Sequence, residues 1–466
     1  SFLYLLSSFM NIPSSIFKAY DIRGIVETEL TPEIVKLIGR AVGSESIEKG
    51  ERGVVVGRDG RLSGPELSEA LISGLIESGC HVVNIGMVPS PVVYFATHTK
   101  AATSGVMITG SHNPAEYNGL KIMIAGETLS AEKIQSLYTR ILENDFKTGS
   151  GTSTSINIDQ DYINTIKSDI NLEKELNIVI DCGNGVAGNI APQLFEALGV
   201  KLSKLFCLVD GRFPNHHPDP SKPKNLEDLI QEVIETKSDL GLAFDGDGDR
   251  LGLIDNKGKI IWADQQMMLY AKDVLTRNKG AKIIFDVKCT SLLPKVISDN
   301  GGEPIMSRTG HSFIKKKLKE TNAALAGEMS GHIFFKERWY GFDDALYTAA
   351  RLLEIVSKSN KSCSELFDEF PVNLSTPEIN INFDKHGQQF EAMDSLSSHI
   401  DFPGANINTI DGVRVDYEDC WGLVRPSNTT PCLVLRFEAK DHTALIDIQE
   451  KFKKWLESCD ISADDL

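Results

Sequence analysis

Residues 104–121 read SGVMITGSHNPAEYNGLK, and their reading decides how the rest of the chain is understood. Val106, Met107 and Ile108 form a short apolar run that suits a buried strand. Thr109 and Gly110 break the run, and Asn113-Pro114 signals a turn. Ser111 is therefore expected on a loop just past the carboxyl end of a strand, where open α/β sheets bind ligands. The plainer reading is that Ser111 or Asn113 caps a helix or shapes the turn. A serine is also a weak nucleophile until something activates it.

Upstream, strands and helices alternate. Tyr20 and Arg23 sit among polar and glycine residues and are expected on an exposed loop. Thr31-Pro32 reads as an N-cap followed by proline at the first helical position. Ile34, Val35, Ile38, Ala41 and Val42 keep helical spacing. A strand at Val54–Val56, a helix opened by Pro65, a strand at Val82–Ile85 and a helix near 91–101 lead into the Ser111 loop. This alternation predicts a largely parallel, doubly covered sheet.

Downstream, KTGSGTSTS at 147–155 reads as a linker. A second unit follows, with a strand at Ile178–Ile180, a glycine-bearing turn at 182–188, a helix near 189–198 and a strand at Leu240–Phe244. A third has a helix at 263–277, a strand at Ile283–Phe285, a helix near 311–320 and a strand at Ala323–Leu325. Each of the three ends a strand in a polar, glycine-bearing loop. After Phe370-Pro371 the pattern changes to strands near 377–382, 407–415 and 432–438 with helices near 385–399 and 442–457. The expected organisation is α/β: three similar mixed-sheet α/β domains (10–154, 155–256, 257–370) and a smaller C-terminal α+β domain (371–466).

At 466 residues the chain exceeds one hydrophobic core and fits about three or four domains. A net charge of −17 argues against nucleic acid and anionic membranes as partners, and requires any phosphate site to be locally basic. The eight cysteines show no Cys-x-x-Cys, so zinc is disfavoured and reduced thiols of a cytoplasmic protein are expected. The apolar start SFLYLLSSF is too short to span a bilayer and lacks a basic flank. Met10 is read as the true start.

Asp245, Asp247 and Asp249 are separated by single glycines, which let a loop turn alternate carboxylates to one point. Hard oxygen ligands of this kind suit Mg²⁺, with Ca²⁺ or Mn²⁺ as alternatives, and such a cluster has no use in a core. An EF-hand is excluded, because its sixth position is Arg250 and its twelfth is Asn256. A phosphate on Ser111 would supply the anion that such a cation needs. No G-x-S-x-G elbow surrounds Ser111, so it reads as a phosphoryl carrier rather than an acyl one. Gly183-x-Gly185-x-x-Gly188 matches a dinucleotide fingerprint, but a tight structural turn is the preferred reading. Glu328 and Ser330 could grip neighbouring sugar hydroxyls, or the loop could simply carry a solvated Glu. Arg425 with Ser427, Asn428, Thr429 and Thr430 has the composition of a phosphate cradle or of a capped turn. Lys315 to Lys317 reads as a solvated helix face.

KAYDIRG, TGSHNP, DGDGDR, TGHSFIKKK, GEMSGH and RPSNTTP occur in this order across nearly the whole chain. Together they resemble the α-D-phosphohexomutase superfamily and, within it, the bacterial phosphomannomutase/phosphoglucomutases. The resemblance implies four domains around a central cleft. It implies that Ser111 is the phosphoserine, that Asp245, Asp247 and Asp249 with Ser111 bind Mg²⁺, and that Arg23, Lys121 and Arg250 support the transferring phosphoryl. His332 and Lys121 become candidate acid/base groups; Glu328 and Ser330 hold sugar hydroxyls; Tyr20, Lys288 and His311 line the cleft. Arg425, Ser427, Asn428 and Thr429 bind the phosphate not undergoing transfer. The implied substrates are mannose or glucose phosphates, with hexose 1,6-bisphosphate as intermediate and activator, handled by a monomer or weak dimer. Competing expectations are a phosphoglucosamine mutase, a Mg²⁺-dependent sugar phosphatase and a non-catalytic sugar-phosphate-binding protein.

Overall fold

Short runs of Val, Ile, Leu and Phe that are apolar at nearly every position become the central strands of three sheets, each covered by helices. The computed structural model describes residues 12–99, 102–385, 387–428, 430–463 and 466. Met10, the expected start, and the nine residues before it lie outside the described residues.

The first three sheets share one four-strand order. In the first, His81–Met87, Gly53–Arg58 and Ser104–Ile108 run parallel, and Tyr117–Ile124 joins antiparallel to the last. In the second, the same places are taken by Lys201–Leu205, Asn177–Asp181, Leu240–Phe244 and Leu251–Asp255. In the third they are taken by Glu303–Ser307, Lys282–Asp286, Leu325–Gly327 and Ile333–Phe335. Helices fill the crossovers that parallel strands require: Gly64–Glu77 and Ser90–Thr99, then Ala191–Ala197 and Glu227–Thr236, then Leu292–Asp299 and His311–Thr321. The turn from third to fourth strand is thus the same place three times. It carries Ser111 in the first sheet, Asp245 to Arg250 in the second, and Glu328 to His332 in the third. The suspected shared layout is a real structural repeat.

The expected helix start at Thr31 is present: the Thr31 hydroxyl accepts from the Ile34 amide and Pro32 opens the helix Pro32–Glu48. The linker reading of 147–155 needs correction. Thr152–Ser155 is a strand that pairs in parallel with His81 to Asn84 at the edge of the first sheet. Gly151 makes this possible, since a Cβ there would come within 1.9 Å of the Cys80 carbonyl oxygen.

The last sheet is antiparallel, in the order Leu374–Ser375, Cys432–Ala439, Cys420–Pro426, Val413–Asp416, Asn406–Asn408, with Ile379–Asn382 also on Cys432–Ala439. Leu433 to Glu438 shows strand alternation, and every residue of the strand Cys432–Ala439 is buried, the polar ones included. The polar face packs on the third unit: the Glu438 carboxylate accepts from the Thr290 hydroxyl at 2.7 Å, and Arg436 lies 3.5 Å from Asp264. One apolar core runs continuously through the first three units, from Val55 through Phe244 to Tyr347. The C-terminal unit has its own core around Phe437, Phe452 and Trp455, and meets the third unit through Val287, Trp421 and Leu423. No helix among the described residues is long and apolar enough to cross a membrane.

Candidate active site

Ser111 has a φ of +49°, a left-handed conformation that costs a non-glycine residue about 1–2 kcal/mol. Its surroundings hold it there. The Ser111 amide donates to the Thr109 hydroxyl at 2.8 Å, and the Asp59 carboxylate accepts from that hydroxyl at 2.7 Å and from the Gly110 amide at 3.3 Å. Arg61, fully buried, donates to the carbonyls of Ser111 (3.0 Å), Asn113 (2.6 Å), Pro114 (2.5 Å) and Tyr117 (2.9 Å), and to Asp59 (3.2 Å). Gly110 passes so close that a Cβ would lie 2.3 Å from the guanidinium carbon.

Neither Asp59 nor Arg61 was anticipated from sequence. A signal existed: each repeat has an aspartate at or just past the end of its first strand. Asp181 accepts from the Gly183 amide (2.8 Å) and lies 2.8 Å from His216, while Asp286 accepts from the Met329 amide (3.3 Å). Ile178–Ile180 and Ile283–Phe285 run directly into Asp181 and Asp286, and Val54–Val56 reaches Asp59 after Gly57 and Arg58.

The Ser111 hydroxyl donates to Asp245 at 3.2 Å and lies 3.2 Å from His112 Nδ1. The first and second units meet here so tightly that a Cβ on Gly246 would lie 2.1 Å from the Ser111 carbonyl oxygen. Gly185 lies behind Gly246 and Gly188 against Cys207, so the glycine pattern of 183–188 is the close-packed turn expected. Asp245, Asp247 and Asp249 are fully buried, and one oxygen from each lies within 4.8 Å of the others. Asp247 Oδ1 and Asp249 Oδ1 have no hydrogen-bond partner, although buried carboxylates normally do. Burial and the neighbouring Asp249 and Asp247 charges push the Asp245 carboxyl well above its ordinary range. Clustered carboxylates with unpartnered oxygens fit a hard divalent cation.

Lys121, from the fourth strand, reaches into this cluster, 2.6 Å from Asp247 and 2.5 Å from Asp249. Burial works to lower its pKa, but the two carboxylates prevail and hold it well above the ordinary lysine value. Ser90 donates to the same Asp247 carboxylate from the start of its helix. Arg23 donates to the Gly110 carbonyl at 2.8 Å and to Asn113 Oδ1 at 2.6 Å. It belongs to the strand Ile22–Ile25, paired with the Lys121 strand, so the exposed loop expected for it is instead a largely buried strand.

The second and third repeats are stitched together at Arg250 and His332, which form a β-bridge and whose side chains meet at 3.0 Å. Arg250 Nε donates there, leaving His332 Nδ1 3.1 Å from Asp343 and 3.6 Å from Asp249. Asp343 was not anticipated. It is also paired with Lys315 at 2.9 Å and lies 3.7 Å from His311 Nδ1. Lys315 therefore corrects the solvated-face reading: it is half-buried, over the Tyr94 ring at 3.9 Å, while Lys316 stays exposed. Three successive helical residues point about 100° apart, so a run of three lysines cannot all face one way. Burial and the Lys315 charge push the His311 imidazole well below its ordinary pKa.

Glu328 is buried, accepts from the Gly310 amide at 2.6 Å, and is pushed up to about 7 by burial. Ser330, two residues on, is half-buried. Lys288 is paired with Glu378 across the boundary to the last unit at 2.8 Å. Arg425 is held by Asp411 at 3.0 Å, with one terminal nitrogen unpartnered, and Ser427 lies 2.8 Å from Thr430. Thr429 lies outside the described residues. Asn428 donates to the Tyr20 hydroxyl, and Tyr20 stands edge-on to His311 with ring centroids 6.4 Å apart. Tyr20 is thus half-buried among the other units rather than on an exposed loop. His311 in turn stacks on His332 at 5.7 Å. A chain of direct contacts runs from the Arg425 loop through Tyr20, His311 and His332 to Arg250 and the acidic loop.

Residues 14–148, 160–258, 262–373 and 378–454 match the phosphoglucomutase/phosphomannomutase family, as its alpha/beta/alpha domains I, II and III and its C-terminal domain respectively. The chain is 57% identical over 445 residues to a phosphomannomutase/phosphoglucomutase of Pseudomonas putida, covering 96% of both. It is 52% identical over 451 residues to a phosphoglucomutase of Neisseria meningitidis serogroup A, covering 96% of this chain and 98% of the relative. A crystal structure of a phosphoglucomutase/phosphomannomutase family protein from Burkholderia thailandensis superposes with a TM-score of 0.93 at 49% identity, covering 97% of this chain and 98% of that one.

Proposed function

Since this chain belongs to the phosphoglucomutase/phosphomannomutase family, we propose how its own residues perform the mutase reaction. The activity is that of a hexose-phosphate mutase, an isomerase that moves a phosphoryl group between positions of one sugar. Ser111 is the carrier. With a phosphate on Ser111 Oγ, the sugar's free hydroxyl attacks phosphorus, the P–Oγ bond breaks and a new P–O bond forms on the sugar. The resulting hexose 1,6-bisphosphate turns end over end and returns its other phosphoryl to Oγ by the reverse step.

Asp245, Asp247 and Asp249 would hold Mg²⁺ beside Oγ. The ion, when bound, supplies a charge that draws electron density from phosphorus. Arg23, Lys121 and Arg250 steady the equatorial oxygens. His332, oriented by Arg250 and Asp343, is the candidate to take the hydroxyl proton, and Lys121, which Asp247 and Asp249 hold in its charged form, is a candidate to return one. Glu328 and Ser330 take sugar hydroxyls, and Tyr20, Lys288 and His311 line the cleft. Arg425, Ser427, Asn428 and Thr429 take the phosphate that stays. Most of the acceleration is expected from positioning and charge stabilisation. Substrates are hexose phosphates of glucose or mannose.

The observation that carries the reading is the 3.2 Å contact between the Ser111 hydroxyl and Asp245 of a buried three-carboxylate cluster with unpartnered oxygens. The test is Ser111→Ala, assayed with glucose 1-phosphate and mannose 1-phosphate in the presence of hexose 1,6-bisphosphate. Turnover should fall by orders of magnitude with the fold intact, because the covalent carrier is gone. Near-normal turnover would sink the mechanism.

A further inference from the structure

All eight cysteines are free thiols, and two of them touch. Cys182 directly follows the strand Asn177–Asp181, and Cys207 lies two residues past the parallel neighbour Lys201–Leu205. Their sulfurs are 3.5 Å apart, with the Cys207 thiol donating to Cys182. Cys182 is buried and Cys207 is partly exposed. Neither takes part in the reaction described above.

We propose that Cys182 and Cys207 form a modification site: a dithiol that a low-molecular-weight disulfide converts reversibly into an intramolecular disulfide. The partly exposed Cys207 thiolate attacks one sulfur of the small disulfide and releases the first small thiol. Cys182, already in contact, then attacks Cys207 Sγ of the mixed disulfide and releases the second. The balance is two cysteine thiols plus one small disulfide giving one protein disulfide plus two small thiols. Exchange of this kind depends on thiolate character and access. Once Cys207 ionises, the Cys182 thiol can turn to donate to the thiolate, which lowers the pKa of Cys207 against the opposing effect of burial.

Closing the bond shortens the sulfur separation from 3.5 Å to about 2.05 Å. That motion is not free, because both cysteines sit in packed loops that lead to the phosphoryl site. Cys207 belongs to a loop clamped by Asn184, whose amide donates to the Phe206 carbonyl and whose side chain donates to the Leu208 carbonyl, each at 2.8 Å. The loop then presses on the anchor of the Ser111 loop: a Cβ on Gly60 would lie 2.2 Å from Val209, and one on Gly211 would lie 2.7 Å from Arg61 Cα. The Phe213 ring faces the Arg61 guanidinium at 5.2 Å. On the other side, Cys182 leads into Gly183 and Gly185, and Gly185 packs against Gly246 of the acidic loop. The disulfide is therefore a tether between the supports of the carrier serine and of the carboxylates.

The test exposes the full-length protein to oxidised glutathione, blocks the remaining thiols by alkylation and maps the peptides by mass. The expected result is a 182–207 cross-link, an intact mass lower by two hydrogens before alkylation, and a kcat lowered about ten- to a hundredfold, as displacements near 1 Å produce. Dithiothreitol should restore both. Cys207→Ser should keep the basal turnover and lose the cross-link and the inhibition together. Glutathione adducts on Cys207 or Cys459 with no 182–207 cross-link would overturn the site. A complete cross-link with unchanged kcat would overturn the coupling to the phosphoryl site.

Discussion

Replacing Arg61 should slow the enzyme far more than it unfolds it. Arg61 makes no contact with the carboxylate cluster through a side-chain hydrogen bond, and its fork is spent on four backbone carbonyls between Ser111 and Tyr117 and on Asp59. Lysine at this place keeps the charge opposite Asp59 but has three donors on a single nitrogen, which cannot span carbonyls on both sides of the loop. At least two carbonyls then lose their partner in a buried setting, at about 1–3 kcal/mol each. Alanine also leaves Asp59 without its cation, a loss of about 3–5 kcal/mol for a broken buried pair. The Ser111 loop has an easier response than global unfolding. Its left-handed Ser111 already costs about 1–2 kcal/mol, so relaxation of the loop recovers that strain and lets water reach the carbonyls. A carrier displaced by roughly 1 Å costs about a hundredfold in rate.

Arg61→Lys should therefore lower kcat about a hundredfold, with KM for hexose 1-phosphate little changed, because the Arg425 loop belongs to another unit. The phosphoenzyme, prepared with hexose 1,6-bisphosphate, should also lose phosphate to water faster than the wild type. Steady-state kinetics, phosphate release and urea unfolding make the comparison. If Arg61→Lys had a kcat within about twofold of wild type while its unfolding midpoint fell steeply, the anchor would be purely structural and the reasoning wrong, since a positioning role must act on rate.

Arg425→Ala should act mainly on binding, raising KM by the loss of a charge-assisted contact of about 2–4 kcal/mol; an unchanged KM would remove the cradle. Chelation should abolish turnover, and added Mg²⁺ should raise the thermal midpoint of the metal-free protein by relieving repulsion among Asp245, Asp247 and Asp249, an increase that Asp247→Asn should blunt. Asp344 predicts a stability slope: burial pushes its carboxyl from the ordinary 3.8 up to about 7, against donors from the Tyr347 amide and the Tyr162 hydroxyl. Between those values the native chain holds a proton that the unfolded chain has released, so this contribution is present in acid and is lost as pH rises through about 7. Asp344→Asn cannot ionise, so its midpoint relative to wild type should improve between about pH 5 and pH 8, and a constant gap would contradict the shift.

How much of this was legible depended on where each residue finds its partners. Ser111 and the three aspartates stood out because their local wording has no use in a core, and each follows an apolar run that ends a strand. The three units could be paired loop for loop, yet their repeat became certain only when all three sheets had one strand order, since order depends on backbone pairing rather than on side-chain similarity. Asp59 and Arg61 escaped notice because what they hold lies about fifty residues on, and Asp-Gly-Arg looks like any turn. Lys315 and Asp343 are 28 residues apart, and each looks solvated until a helix and a loop bring them to 2.9 Å. The strand at 152–155 has linker composition and pairs only because Gly149 and Gly151 let its backbone lie against residues 78–80. The residues that perform the chemistry are thus conspicuous one at a time, whereas those that hold them in place are ordinary until the partner arrives from another element. That asymmetry is physical. Reactive groups must be the wrong residues for a core, while anchors need only be the right residues for one another.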